Sequence, residues 1–558
     1  MKLLPKILFT ILLLISWSEL SAKMDSLAVS QYPIDTLAVE SIPNNQIWYT
    51  ASKRIEPRMK SGFGAQYVSN EWNATTKKGV ITFDGDVQSI AAQAFQNLNG
   101  LSGVELPNSV KIIDRAAFSY NTGLRSAKLP EGIEIIGADA FMGCETLAYV
   151  NIPSSVKSLG NGAFQECRYL ESVVLPEGIV DLGEAIFCDC SRLCDVTLPK
   201  DMTLISANMF SGCKALKSVA IPEGVKEIHY DAFEYCSSLE SIVIPSSVKL
   251  IGDYSFQYCV NLKNISLNNQ LETIGRDAFY GCTALTYVSI PESITLLDYN
   301  AFGGCLSLAH FGGKYASEDG RYLQRGNEII AYVNASGTEF TIPEDVTMVG
   351  DNAFNGCRDL VALKLHDKVT YFGDCTLYGC VGITSIWLPA GVTYIGYSAF
   401  EECAGLEYVN IPNGVEIVKK DTFLGCVSLR SIVIPDSVTK IESEAFHGCR
   451  SLESVVMSER VEEICEAAFR GCCSLIDIAL PAPLYAIEIN AFKDCNSLSM
   501  VYFNGTTPPW CAYPVFENVA DEFVVYVPWS DDGSVLEAYR GTRSLSVVAD
   551  AITTKANM

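Results

Sequence analysis

The sequence predicts a β-rich leucine-rich-repeat solenoid. Each 23-residue repeat is expected to supply two short strands and a helical turn of a right-handed coil, with small β caps and one inserted hairpin module. Three observations predict it. First, one phenylalanine recurs at a fixed step of 23 residues, at Phe95, Phe118, Phe141, Phe164, Phe187, Phe210, Phe233, Phe256, Phe279 and Phe302. The register resumes at Phe354, passes through Leu377, and returns at Phe400, Phe423, Phe446, Phe469 and Phe492. Second, each copy contains a short alternating apolar run closed by proline, the pattern of a half-buried strand. Third, 49% of the 558 residues are apolar and 19% charged, a globular composition.

The elements follow in chain order. Residues 1–22 read as a secretory signal peptide: Lys2 and Lys6, then "ILFTILLLI", then small residues ending at Ala22. Residues 23–78 are more polar, lack the repeat, and are expected to form a tether followed by an N-terminal cap, with strand-like runs from Ile47. Residues 79–309 form the first repeat block.

One copy, "CETLAYVNIPSSVKSLGNGAF" from Cys144 to Phe164, carries the plan. Leu147, Val150 and Ile152 fit an L-x-x-L-x-L strand frame, while Tyr149 and Asn151 alternate outward. Pro153 has no N–H for a ladder and closes the strand. Val156 and Leu159 return to the interior on an opposite wall, Gly160 allows a tight corner, and Ala163 and Phe164 plug the coil. Six or seven buried side chains, at roughly 1.5–3 kcal/mol each before entropy, suffice only when coils stack.

Residues 310–343 break the period. Turn signals "EDG" and "NASG" around the runs "RYLQ", "EIIAYV" and "EFTI" predict small hairpins, either protruding from the solenoid as a binding feature or splicing two blocks stiffly. The second block covers residues 344–503, a C-terminal cap is expected over 504–548, and 549–558 read as a loose tail.

The repeated pattern L-x-x-V-x-I-P-x-x-V-x-x-I-G-x-x-A-F-x-x-C, over about residues 80–503, resembles the BspA-type leucine-rich repeat family of bacterial surface proteins. "NNQIWYT" with "GVITFDGDVQSI" is similar to the N-terminal cap of such proteins, and "VYFNGTTPP", "FVVYVP" and "LEAYRG" to their C-terminal cap. The resemblance implies secretion or cell-surface exposure and, for some members, adhesion to host matrix proteins or other microbes.

The net charge of −25 leaves no basic stripe for nucleic acid or anionic lipid. No run of about 18 apolar residues predicts a membrane-spanning helix. Of 21 cysteines, fifteen fall three residues after the register position, from Cys144 to Cys495. Stacked at about 4.8 Å with parallel Cβ vectors, they are placed for a ladder of buried thiols rather than disulfides. Cys188, Cys194, Cys375, Cys465, Cys473 and Cys511 lie off that ladder. A Cys188–Cys194 or Cys472–Cys473 metal site is conceivable, but no C-x-x-C pair with a matching partner supports it. His229, His310, His366 and His447 are scattered and read as surface residues. No catalytic constellation, metal site or cofactor motif is implied, so an enzyme is not expected.

The outward strand positions lie eight and ten residues after each register position. Most are small, but Tyr149, Asn151, Tyr287, Trp387, Tyr408 and Asn410 are large and are the candidate binding residues. Trp387, Tyr408 and Asn410 fall on adjacent strands. The sequence thus predicts a non-catalytic, secreted or surface-displayed protein that binds a host or microbial protein. Carbohydrate binding through aromatics on the concave sheet and a passive spacer are the alternatives.

Overall fold

The structure is a computed structural model that describes residues 41–333, 337–528 and 545–549. The expected signal peptide, most of the tether, and the tail beyond Ala549 lie outside the described residues. After an antiparallel cap, the chain winds from Ser89 onward as a β-solenoid with three walls.

The first wall carries the strands predicted from the L-x-x-L-x-L frame. Ser172–Val174 pairs in parallel with Asp195–Thr197, and Ser172 also faces Tyr149 of the coil before. The second wall carries two-residue strands in the same register: Ile135 pairs with Ser158, and Ser158 with Asp181. Each residue therefore stacks on its equivalent 23 positions away. Side chains pointing inward meet copies of themselves, which is why one residue type recurs down a column. Phe118, Phe141 and Phe164 are fully buried, with ring centroids 5.2 and 5.4 Å apart and planes within 9°. Where Leu377 replaces phenylalanine, Phe372 of the second wall stacks on Phe400 at 5.3 Å.

The third wall corrects the helical turn expected in each repeat. No helix occurs among the described residues, and this wall is a run of stacked turns. The cause is backbone handedness. Residues two before and two after the register position are left-handed, such as Ala116 (φ 53) and Tyr120 (φ 59) around Phe118. Two left-handed residues four positions apart exclude a right-handed helix. They also turn alternate N–H groups along the stack. Ala116, Phe118 and Tyr120 donate to the carbonyls of Ala138, Ala140 and Met142 of the next coil, at 2.8, 2.8 and 2.6 Å. A helix would have spent these donors within one coil; here they join two.

The thiol ladder lies just behind this wall. Cys144, Cys167 and Cys190 are buried and free, and each thiol points to the carbonyl of the register phenylalanine one coil back, at 3.2, 3.3 and 3.2 Å. Asn121 stands in the same column where a coil lacks cysteine, and its amide donates to the Phe95 and Phe118 carbonyls. The column thus selects a small donor rather than sulfur as such. Burial pushes the Cys144 thiol up to about 12, so it stays protonated.

At the start, strand Gln46–Ala51 lies antiparallel between Lys78–Phe83 and Leu101–Glu105, with Tyr67–Asn73 outermost. At the other end the repeat plan continues past residue 503. Trp510–Cys511 extends the second wall and Phe523–Val527 the first, and Phe516 stacks on Phe492 at 5.2 Å. That last step is 24 residues rather than 23, which hides it from a fixed-period reading.

Between the blocks, His310–Gly313 continues the first wall beside Tyr287–Ile290. Tyr322–Arg325 and Glu328–Tyr332 then form an antiparallel hairpin, and Glu328–Tyr332 pairs in parallel with Met348–Val349. The hairpin thus lies in the second wall rather than projecting from it. Leu323 and Val333 pack into the first block's core, Ile329 and Tyr332 into the second's.

Candidate binding surface

Outward residues of the first wall form two columns, because the strand period puts alternate side chains on the same face. In the first block the columns are mostly small or polar, running Ser126, Tyr149, Ser172, Asp195 and Lys128, Asn151, Val174, Thr197. Tyr149 is exposed but stands alone, paired on both sides with serines. Asn151 is exposed beside it. Tyr287 lies six coils further on and stacks on His310, with centroids 5.8 Å apart. At about 4.8 Å per coil, the Tyr149 pair and Tyr287 are roughly 30 Å apart, so they are not one site.

In the second block the character changes. The outer column runs Trp387, Asn410, Val433, Val456, Ala479, Tyr502 and Tyr526 on successive coils. Trp387 is 75% exposed and Val433 and Val456 59% each. Tyr502 and Tyr526 stack at 4.7 Å. Tyr408, also exposed, pairs with Ser385 in the neighbouring column, so it lies diagonal to Trp387. The structure therefore brings Trp387, Tyr408 and Asn410 together.

Asn410 has a different task from its two neighbours. Its Oδ1 accepts from the Leu388 N–H at 2.7 Å and its Nδ2 donates to the Leu388 carbonyl at 2.8 Å. The amide splices two coils where regular strand pairing stops, and its polar atoms are committed to the backbone. What remains on the surface is an apolar stripe. The valines in it were not singled out in the sequence, since an isolated valine on a strand is ordinary. Their equivalence down one column is the signal that exposes them.

The titratable groups elsewhere form local pairs. His229, His310, His366 and His447 lie against Glu227, the Tyr287 ring, the Pro343 carbonyl and Glu444 respectively. Cys194 is exposed and Cys188 half-buried, its thiol pushed up to about 12 by burial and then by Asp189. Glu463, Cys465 and Glu488 place their ligand atoms within 4.8 Å of one another. Lys440 already supplies a cation there, with its Nζ 2.8 Å from Glu463, and burial and the two carboxylates push the Cys465 thiol up to about 12.

Comparison with known proteins bears on the whole stack. A family model described as "BspA type Leucine rich repeat region (6 copies)" matches residues 70–194, 180–309, 329–440 and 416–509. Among solved structures, the chain is similar to a leucine-rich repeat protein from Bacteroides ovatus. That likeness has 28% identity and a TM-score of 0.44, and covers 62% of this chain and 82% of that one. It is also similar to a leucine rich cell surface protein from Faecalibacterium prausnitzii, at 27% identity and a TM-score of 0.45, covering 64% and 86%. A leucine-rich repeat protein from Eubacterium ventriosum follows at 23% and 0.46, covering 53% and 86%. No curated protein matches the chain.

Proposed function

Because the chain belongs to the BspA-type leucine-rich repeat family, we propose that it is displayed or secreted outside the cell and binds a protein there through the second block's apolar stripe. Leucine-rich repeat proteins are generally non-catalytic, and no helix among the described residues is long and apolar enough to cross a membrane. The observation that carries the proposal is the column of exposed Trp387, Val433 and Val456, continued by the half-buried Tyr502: apolar groups held outward on strands whose inner faces are the core. Contiguous exposed apolar surface marks a protein interface more often than a solvated face. Trp387 and Tyr408 are its rigid anchors, and Ser385, Ser431 and Ser454 beside them leave room for a partner to approach the sheet.

Asn410 also separates this reading from sugar binding. A glycan site pairs aromatic faces with free amides, and this amide is spent on Leu388.

The test is capture of proteins from an array of extracellular-matrix and microbial surface proteins, with a glycan array in parallel, using the full chain. Trp387→Ala is expected to cost about 2 kcal/mol of binding, near thirtyfold, and Val433→Asp to abolish capture, with melting temperature unchanged. Retention of protein capture by both variants would overturn the reading. Loss of glycan capture in Trp387→Ala but not in Val433→Asp would place the ligand among carbohydrates instead.

A further inference from the structure

The second wall is broken at the block junction. Leu296–Leu297 ends one five-stranded ladder, and the hairpin strand Tyr322–Arg325 begins another without pairing to it. A cleft of about 300 Å³ opens there, lined by Leu297, Asp298, Tyr299, Arg325, Glu328 and Asp351 among others.

The column of residues three before each register position shows what this space is built for. It runs Asp253, Arg276, Tyr299, then, beyond the hairpin, Asp351 and Asp374. Arg276 fills its own place in that column with its guanidinium 5.0 Å from the Tyr254 ring centre and 5.5 Å from that of Tyr299. Its Nη1 donates to the Tyr299 hydroxyl at 2.6 Å, and the Asp253 carboxylate lies 3.9 Å away. An aromatic ring with a carboxylate opposite thus already holds a guanidinium in this column. One step on, between Tyr299 and Asp351, the pairing of Glu328 with Met348 and Ile329 with Val349 makes Ala331 the residue in step; its side chain is too short to fill the place, and the cleft lined by its neighbour Ile330 opens there.

Its acceptors are in part unspent. Asp351 uses Oδ1 for both the Asp374 N–H and the Tyr371 hydroxyl, and Asp298 uses Oδ1 for the Tyr299 N–H, which leaves each Oδ2 without a partner among the described residues. Arg325 is committed, with Nη1 on the Leu297 carbonyl at 3.2 Å and Nη2 on Glu328 at 3.0 Å. Three carboxylates against one guanidinium leave the lining negative, on a chain whose net charge is −25.

We propose that this cleft receives an arginine side chain, stacked on Tyr299 and bonded to Asp298 and Asp351. That the arginine belongs to a protein partner rests on the function proposed above; the recognition chemistry does not. A planar fork of donors suits paired carboxylates and an aromatic face better than a point charge does.

The test is an NMR titration of the full chain with N-acetyl-arginine methylamide, against the citrulline, lysine and glucose equivalents. Binding of the arginine probe and not citrulline is expected, weakened roughly tenfold or more by Tyr299→Leu and by Asp298→Asn, and unaffected by Val433→Asp. Equal binding of citrulline, preference for glucose, or arginine binding that survives both cleft variants would overturn the proposal. Melting temperatures of the variants identify any that misfold. Absence of arginine binding alongside loss of protein capture in Val433→Asp would sink the cleft and spare the stripe; the opposite pair of results would do the reverse.

Discussion

At the residue scale the informative positions are those where a column changes type. Asp277 sits two before Phe279, in the left-handed conformation that Asp and Asn tolerate best (φ 53). Asn300, its equivalent one coil later, donates to it, while the Asn300 Oδ1 is buried without a partner. Burial pushes the Asp277 carboxyl up to about 6, against the partial relief of the Asn300 bond. Between about pH 4 and pH 6 the folded chain keeps a proton that the unfolded chain has lost. Stability therefore falls as pH rises through that window and is level above it, by on the order of 1 kcal/mol after solvent screening. Asp277→Asn keeps the backbone preference and brings a donor beside the Asn300 oxygen. Thermal melts at pH 4, 5, 6 and 7 are expected to show a higher midpoint at pH 7 and a flatter slope from pH 4 to 6. An unchanged slope would count against the assignment. Nothing in a sequence marks Asp277 for this, because its ionisation is set by the coil that follows it.

At the element scale, the strands were legible and the third wall was not. Apolar alternation and Pro153 mark the strand end, and Leu147, Val150, Ile152, Val156, Leu159 and Phe164 are all buried as expected. The turn wall lacks such a signature, since its donors are satisfied by another coil and not by a local pattern. Its trace is compositional: Asp or Asn recurs two before the register position and Gly two after, as in Asp139 and Gly143, both left-handed. Gly160 also has a different reason from the one its spacing suggests. Its φ is not positive; a Cβ there would lie 2.3 Å from the Ala138 nitrogen of the coil before. The glycine permits close approach of two backbones rather than an unusual turn. Gly160→Ala is expected to cost about 1–3 kcal/mol by forcing those coils apart, seen as a lower denaturant midpoint. A midpoint within error of the parent would show that the corner is slack. Of the candidate site, the cluster at Trp387, Tyr408 and Asn410 was readable from strand spacing. The commitment of Asn410 to Leu388 was not, because it depends on where pairing lapses between two coils.

At the scale of the whole molecule, the blocks share one junction. The hairpin contributes Leu323 and Val333 to one core and Ile329 and Tyr332 to the other. Tyr332 lies 4.7 Å from the Phe340 ring and 4.8 Å from Phe354, so it seeds the second aromatic column. In a stack held by nearest-neighbour contacts, cooperativity passes only through such a junction. Ile329 is fully buried, and a charge there has no partner. Calorimetry of Ile329→Asp is expected to resolve two endotherms where the parent shows one, with the second block melting first. A single endotherm shifted as a whole would mean that the blocks are coupled by other means. The cleft at this junction escaped the sequence reading for a related reason. It opens where a short residue, Ala331, stands in a column of large ones, and that equivalence follows from the pairing of Glu328 and Ile329 rather than from the 23-residue step.

The in-step stacking of the 23-residue turns has a consequence for heredity. A gene whose copies all encode interchangeable turns invites unequal crossing-over between them, and each such event adds or deletes one whole rung of about 4.8 Å. Lineages can thereby alter the reach between the aromatic-studded strands and the acidic notch in fixed increments, without redesigning either. Natural length variants of this chain should accordingly differ by multiples of 23 codons, with the breakpoints free to fall anywhere in the coil.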